Sequence, residues 1–451
     1  MSKKFDVVII GTGTAASTVA SACREAGWQV AIIDSKPFGG TCALRGCDPK
    51  KVLVGAAEAV DRIRRMQGKG IAGEDTRIDW PELMRFKRSF TDPVPKQRED
   101  GLAKSGIAAF HGRARFTGPT AIQVNNDELE ARYVVVAAGA KPASMNFPGE
   151  HFLTTSEQFL ELDALPGRIL FVGGGYISFE FAHIAVRAGA KVTLLDRGAR
   201  PLAGFDPDLV DLLVERTREL GVDLQLETVV EGIERTSSGL TVHVSTAGRR
   251  RAFQADLVVH GAGRVPDIDD LGLDTAGVER DARKGVKVNE YLQSVSNRAV
   301  YAAGDAAASG GLPLTPVAGY EGGIVAANLL KGNHTTPDYS GVPTVVFTIP
   351  HLAAVGLQES AARKQGLRFR LKHANTAGWY SSRRVGEKYS AYKVLVEEGT
   401  DRILGAHLLG PNSDELINIF AVAIRLNVSA AKLKDLIFAY PTNGSDVPSM
   451  V

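Results

Sequence analysis

Phe5-Asp6-Val7-Val8-Ile9-Ile10-Gly11-Thr12-Gly13-Thr14-Ala15-Ala16 opens this 451-residue chain almost at once, and its reading decides the rest. Phe5 to Ile10 is a short apolar run rich in β-branched residues, the pattern of a strand buried on both faces. A glycine-rich turn follows, then a helical stretch to about Gly27, then a second strand, Gln29 to Ile33, that ends at Asp34. Strand, glycine turn, helix, strand and acid in this order make a dinucleotide-binding fingerprint. Gly11 makes the turn and Gly13 lets the backbone approach a pyrophosphate. Ala16 lets helix and strand pack closely, and Asp34 accepts from a ribose hydroxyl.

The pattern recurs. Arg168 to Val172 leads into Gly173-Gly174-Gly175-Tyr176-Ile177-Ser178-Phe179-Glu180, a helical stretch, and a strand, Lys191 to Leu195, that ends at Asp196-Arg197. Two Rossmann-type units imply two dinucleotides. Between and after them lie three apolar runs that end in small residues: Tyr133 to Ala140 with Gly139, Asp256 to Arg264 with Gly263, and Val300 to Asp305. Glycine at a strand end marks close approach to a turn or ligand, and Asp305 is placed to accept from a hydroxylated ligand. From about Pro337 the alternation gives way to short strands, including Tyr392 to Val396 and Leu404 to Leu409. Two helical stretches follow, from about Asp414 to Leu426 and from Ser429 to Phe438. The fold class read from this order is α/β, with two Rossmann-type domains and a C-terminal α+β domain. The charged stretches Arg62 to Lys69 and Arg249-Arg250-Arg251 read as solvated faces.

A net charge of +2, with 44% hydrophobic and 23% charged residues, gives no reason to expect nucleic acid or an anionic membrane as partner. No apolar run approaches a membrane span. Met1-Ser2-Lys3-Lys4-Phe5 enters a strand too soon for a signal peptide. Three cysteines, one unpaired by count, argue against a secreted disulfide scaffold. The expected compartment is the cytoplasm, where a disulfide is usually catalytic.

Two of those cysteines stand in Gly39-Gly40-Thr41-Cys42-Ala43-Leu44-Arg45-Gly46-Cys47-Asp48-Pro49-Lys50-Lys51. A helix after Cys47 would turn its positive end to the pair and lower a thiol pKa. Cys23, on the first helix, reads as a buried small hydrophobe. These residues together resemble the class I pyridine nucleotide–disulfide oxidoreductases, the family of glutathione reductase, dihydrolipoamide dehydrogenase and mercuric reductase. Gly-Gly-Thr-Cys42-x4-Cys47-x-Pro49-Lys50-Lys51 resembles its redox-active segment, and Phe171 to Glu180 its second nucleotide motif. Gly304-Asp305, followed by Leu314 to Ala318, resembles its second flavin segment.

The resemblance implies an FAD-binding domain in two parts, 1–147 and 267–338, an NAD(P)-binding domain, 148–266, and a dimerisation domain, 339–451. FAD would be held by Gly11, Gly13, Ala16, Asp34, Gly40, Thr41, Lys50, Gly139, Asp305 and Ala318. The nicotinamide nucleotide would be held by Gly173, Gly175, Tyr176, Ser178, Asp196, Arg197, Arg200 and Gly263. Electrons would pass from nicotinamide to flavin, to the Cys42–Cys47 disulfide, and on to an acceptor. Cys47 would be the thiolate against the flavin and Cys42 the interchange thiol facing substrate. Lys50 would stand near the flavin with Glu180 as partner, and Tyr176 would cover the nicotinamide pocket. Asp196 suits NADH, whereas Arg197 and Arg200 suit a 2′-phosphate; NADPH is the expectation and NADH the alternative.

The chain also departs from that family. Where disulfide-reducing members carry a His-Pro-Thr-x-x-Glu segment contributed across the dimer, this chain reads Tyr440-Pro441-Thr442-Asn443-Gly444-Ser445-Asp446. Tyrosine titrates near ~10, far above histidine. Tyr440 could donate a proton but is a poor base, with packing at the interface alone as the alternative reading. Ser21, Ala22, Gly323 and Arg98 stand where glutathione reductase keeps its glutathione-holding residues, and none keeps its type. The C-terminus, Val447-Pro448-Ser449-Met450-Val451, lacks the extra cysteine pair of mercuric and thioredoxin reductases. Trp379-Tyr380-Ser381-Ser382-Arg383-Arg384 reads as a surface strand, with a lining of the substrate cleft as the alternative. The expectation is a homodimeric FAD enzyme that passes electrons from NAD(P)H through Cys42–Cys47 to a small-molecule or protein acceptor, a disulfide other than glutathione. Direct reduction of quinones, metal ions or oxygen is one alternative, and a non-enzymatic flavin redox sensor another.

Overall fold

The structure is a computed structural model that describes residues 2–451. The chain divides into two compact units. One comprises the residues up to Lys50 with Phe86–Ala143 and Arg264–Tyr339; the other comprises Lys51–Arg85, Ser144–Gly263 and Ser340–Val451.

The first unit is built on β1 (Lys3–Ile10), whose Val7 to Ile10 are buried on both faces. It pairs in parallel with β2 (Val30–Asp34) on one side and with the strand Asp127–Val136 on the other. Val300–Ala302 adds a further parallel strand against Asp127–Val136. Register sets Ile10 opposite both Ile33 and Val136, and Val136 opposite Ala302. The carboxyl ends of these strands therefore finish level, which is where open α/β sheets bind their ligands. Helix α1 (Thr14–Glu25) buries Ala15, Ala16, Val19, Ala20 and Cys23 against the sheet. Cys23 is a fully buried thiol, and burial pushes it up to about 12. The short helix α2 (Gly40–Arg45) and the long α3 (Cys47–Met66) follow β2.

The second unit repeats the logic. Asp223–Gln225, Lys191–Leu195, Arg168–Val172 and Leu257–His260 form a four-stranded parallel sheet in that order. A three-stranded antiparallel meander, Thr228–Thr236, Gly239–Thr246 and Arg249–Ala255, accompanies it. The C-terminal part is a five-stranded antiparallel sheet packed on the helix Ser413–Arg425. The fold is thus α/β with two parallel nucleotide-type sheets and an α+β C-terminal region. No helix among the described residues is long and apolar enough to cross a membrane.

Two expectations need correction. The segment at Trp379 is no strand: Tyr380–Arg383 is a single helical turn with Ser381 and Ser382 buried. Trp379 packs on Tyr392, and Ser381 donates to Asp446. The stretch Arg62 to Lys69 is not wholly a solvated face either. Arg65 turns inward, donating to Asp61 at 2.6 Å. The same Asp61 carboxylate accepts from Arg187 at 2.7 and 3.0 Å and from Arg216 at 2.7 Å. Burial alone would raise the Asp61 carboxyl; the Arg187, Arg216 and Arg65 guanidiniums outweigh it and hold the carboxyl below the usual range. Arg187 is itself buried and also donates to the carbonyls of His183 and Ile349.

Removing the shared carboxylate strands three guanidiniums. We expect Asp61→Asn to cost about 3–5 kcal/mol, read as a lower urea midpoint. Because the folded carboxyl sits below its unfolded value, this stabilisation is present above the unfolded pKa of about 4 and fades as pH falls through the folded one. The wild-type midpoint should therefore converge on that of the variant in acid. Equal midpoints at pH 7 would rule the account out.

Candidate functional site

The glycine turn after β1 is pressed against its surroundings. A Cβ on Gly11, which has φ +112°, would lie 2.2 Å from the Ala137 carbonyl oxygen. Asp34, at the end of β2, accepts from the Thr12 backbone N–H at 3.0 Å and the Thr12 hydroxyl at 2.6 Å, and from the Lys36 N–H at 2.9 Å. The acid expected to meet a ribose therefore also ties down the turn. Gly40 begins α2 with φ +73°, and a Cβ there would lie 2.4 Å from the Gly13 Cα. This contact seats the Cys42–Cys47 segment directly beside the glycine turn after β1. Thr41 is the next residue and is half-buried.

Cys42 and Cys47 are free thiols, Cys42 half-buried and Cys47 exposed. Cys47 is the first residue of the twenty-residue helix α3. Its Sγ lies 3.4 Å from the hydroxyl of Thr315, itself the first residue of the helix Thr315–Lys331. Two helix N-termini thus face one sulfur, and each favours negative charge. A hydrogen bond from the Cys42 thiol, another from Thr315 and the Lys50 ammonium outweigh burial and lower Cys47 to about 6. The thiol of Cys42 is pushed up by its bond to Cys47, by burial and by Asp48. The pair therefore divides into one thiolate and one thiol that shares its proton.

Asp305 follows the strand Val300–Ala302 in a short 3-10 turn, Gly304–Ala306. Burial raises its carboxyl, and the Arg264 guanidinium opposes the rise. Ala318 packs over Gly304. Glu321, which sequence reasoning missed, holds this turn. It is buried and accepts from the Gly304 N–H at 2.6 Å, the Ser309 hydroxyl at 2.5 Å and the Tyr339 hydroxyl at 2.6 Å. Gly139 has φ +70° with nothing within 4 Å of a Cβ there, so its need is conformational. Glycine cradles, level strand ends and a buried acid fit FAD, with Gly11, Gly13, Gly40 and Asp305 placed to hold it.

In the second unit, a Cβ on Gly173 would lie 2.6 Å from the Ala262 Cα, and one on Gly174 would lie 2.2 Å from Asp196 Oδ2. Gly175 caps the helix Tyr176–Arg187, and Tyr176 is 46% exposed at its start. Ser178 is fully buried, and a Cβ on Gly261 would lie 2.0 Å from its Oγ. Its contribution is helix-to-strand packing, the part Ala16 plays in the first unit. Gly263 turns with φ +113°. Arg197 is exposed beside Asp196. Arg200 forms a two-pronged ion pair with Asp211 at 2.8 and 2.9 Å. Glu180 is buried and accepts from the Phe347 N–H at 2.9 Å. Tyr440 is 82% exposed, and Ile437 close by is 99% exposed.

One further cluster stands out. His351 Nε2 lies 2.9 Å from Glu58 and 3.5 Å from Asp414. Lys51 joins the two carboxylates, its Nζ lying 3.3 Å from the same ring nitrogen and 3.5 Å from Asp414. Among the described residues, no group of three or more His, Cys, Asp or Glu is arranged to hold a metal ion.

Residues 5–322 match the pyridine nucleotide-disulphide oxidoreductase model, and residues 342–450 match the dimerisation domain of the same family. The chain is 32% identical to a glutathione reductase of Burkholderia cepacia, with 97% of this chain and 96% of that one covered. It is 30% identical to a mercuric reductase of Staphylococcus aureus, over 97% of this chain and 80% of that one. Among solved structures it resembles the Cu(II) complex of the HOCl-induced flavoprotein disulfide reductase RclA from Escherichia coli. That match has a TM-score of 0.88 at 28% identity, covering 99% of each chain. The chain therefore belongs to the pyridine nucleotide-disulphide oxidoreductases, FAD-dependent enzymes that use NAD(P)H, and it carries their dimerisation domain.

Proposed function

We propose that this chain is a homodimeric reductase that takes electrons from NADPH and delivers them through Cys42 and Cys47 to a disulfide other than glutathione. The observation that carries the reading is the divided thiol pair, with Cys47 lowered to about 6 beside two helix starts. In this reading FAD lies on segments 1–147 and 267–338, the nicotinamide nucleotide on 148–266, and the second subunit on 339–451, in the cytoplasm. When bound, FAD supplies a two-electron carrier between nicotinamide and the thiol pair.

The chain's own residues do the rest. Cys42 attacks one sulfur of the acceptor, an S–S bond breaks, and the first thiolate leaves with the Cys42 proton. Cys47 thiolate then attacks the Cys42 sulfur, the Cys42–Cys47 bond forms and the second thiolate leaves. Two electrons have passed to the acceptor. Lys50 holds Cys47 as its thiolate. Glu180 has its place in the Lys50 pairing by family likeness. Tyr440 of the second subunit supplies a hydrogen bond or proton to the leaving sulfur, a task its exposure permits. Arg197 beside Asp196 receives the 2′-phosphate, joined by Arg200 when that residue exchanges Asp211 for it.

A second reading has Cys47 thiolate or reduced flavin act directly on a quinone, metal ion or oxygen. Tyr440 in the histidine position favours it, as does kinship with a mercuric reductase and with a reductase solved as its Cu(II) complex. Steady-state turnover with a panel of disulfides, quinones and metal ions separates the two. Cys42→Ser should abolish disulfide turnover; quinone reduction that survives it unchanged would move the assignment to the second reading.

Two further outcomes are expected. On two-electron reduction the holoenzyme should show a long-wavelength band that is absent in Cys47→Ser. In the wild type this band should be lost as pH falls through about 6, because protonation removes the thiolate. Lys50→Met should move that midpoint up by about one unit; an unmoved midpoint would deny Lys50 its electrostatic part. Arg197→Ala should raise KM for NADPH about tenfold and leave KM for NADH unchanged. Equal effects on both would remove Arg197 from the 2′-phosphate.

A further inference from the structure

Asp48 stands between Cys47 and Pro49, and neither the fold nor the exchange described above uses it. Its Oδ1 lies 3.8 Å from the Cys42 Sγ, within reach of that thiol as a second acceptor beside Cys47. Asp48 is exposed, on the first turn of α3. An acid there stabilises the helix by itself. That does not account for a carboxylate turned back onto the sulfur two turns of chain earlier. The charges around the pair are unevenly shared. Asp48 acts on both thiols, whereas the Lys50 ammonium acts on Cys47. Lys51, next along, is engaged with Asp414 and with the face of the Phe347 ring.

We propose that Asp48 makes Cys42 selective by charge, so that the enzyme reduces neutral and cationic acceptors and turns away anionic ones. The inference rests on reading Cys42 as the thiol that meets the acceptor. Any group bonded to the sulfur under attack comes within a few ångströms of the Asp48 carboxylate, where like charges repel with little screening. The exchange itself is unchanged. The Cys42–acceptor bond forms as the acceptor S–S bond breaks, the leaving thiolate takes the Cys42 proton, and Asp48 stays a carboxylate throughout. The same charge opposes the carboxylates of oxidised glutathione, independently of the missing holding groups at Ser21, Ala22, Gly323 and Arg98.

The test uses the reduced holoenzyme and two pairs of probes. Cystamine, a dication, and dithiodiglycolate, a dianion, are compared as substrates by kcat/KM. Iodoacetamide, neutral, and iodoacetate, anionic, are compared by their alkylation rates at Cys42, located by peptide mass. The ratio of the two alkylation rates cancels the thiolate fraction and reports the local potential alone. Wild type should favour cystamine and iodoacetamide. Asp48→Asn, of the same shape, should narrow the cystamine preference about tenfold and narrow the alkylation ratio with it. Asp48→Glu should restore both.

A role confined to the helix start would lower the melting temperature of Asp48→Asn and leave both ratios as they were, and that result overturns the proposal. If Cys42→Ser still turns over disulfides, the reading of Cys42 fails instead, and the proposal falls with it. The two failures are distinguishable because the alkylation ratio needs no turnover.

Discussion

Gly40 meets Gly13 across a gap that no side chain could occupy, and much of the molecule's chemistry depends on that contact. It brings the start of α2 against the glycine turn that follows β1, so Cys42 and Cys47 arrive beside that turn. The demand falls on Gly40, which has a left-handed φ of +73° and no room for a Cβ, whereas a Cβ on Gly13 would lie 4.0 Å from the Gly40 Cα, an ordinary contact. Two helices then begin at the same place, at Cys47 and at Thr315, 268 residues apart in sequence. Their partial positive ends add to the Lys50 ammonium and to the hydrogen bonds from Cys42 and Thr315 in favouring a thiolate at Cys47.

The parallel sheets were legible because their strands are buried on both faces and carry unbroken β-branched runs. Lys191–Leu195 matches its reading residue for residue, and β1 differs only by the addition of Lys3 and Lys4 at its start. The fingerprints were legible because each glycine answers a steric demand that the spacing already expresses. What stayed hidden depends on contacts between residues far apart in sequence. Nothing near Asp61 announces that Arg187 and Arg216 will reach it, and Arg65 looked like one more solvated charge in a basic stretch. Glu321 gave no sign of holding the Asp305 turn, since its three donors come from Gly304, Ser309 and Tyr339. The helical turn at Tyr380 was misread because an aromatic beside hydroxyls resembles a strand until Ser381 finds Asp446.

The donor and acceptor sides of the site are unequal in their detail. On the donor side, turn, acid and helix start recur in both units and leave little freedom. On the acceptor side, the chain has a tyrosine where a histidine base would stand and a carboxylate where an uncharged residue would suffice. In the proposed reading both bear on Cys42: Tyr440 is a poorer base than a histidine, and Asp48 raises the thiol and opposes anionic partners.

The ion pair between Arg200 and Asp211 has a consequence beyond the site's geometry. Both members are exposed, and such pairs are loosened as the screening length shortens from about 30 Å at 0.01 M salt to about 8 Å at 0.15 M. In the proposed NADPH reading, whether Arg200 is held by Asp211 or released toward a 2′-phosphate is therefore a property of the medium as well as of the chain. Added salt frees the guanidinium while it also weakens its pull on a phosphate. A cofactor preference measured in dilute buffer and one measured at cellular ionic strength describe two different balances.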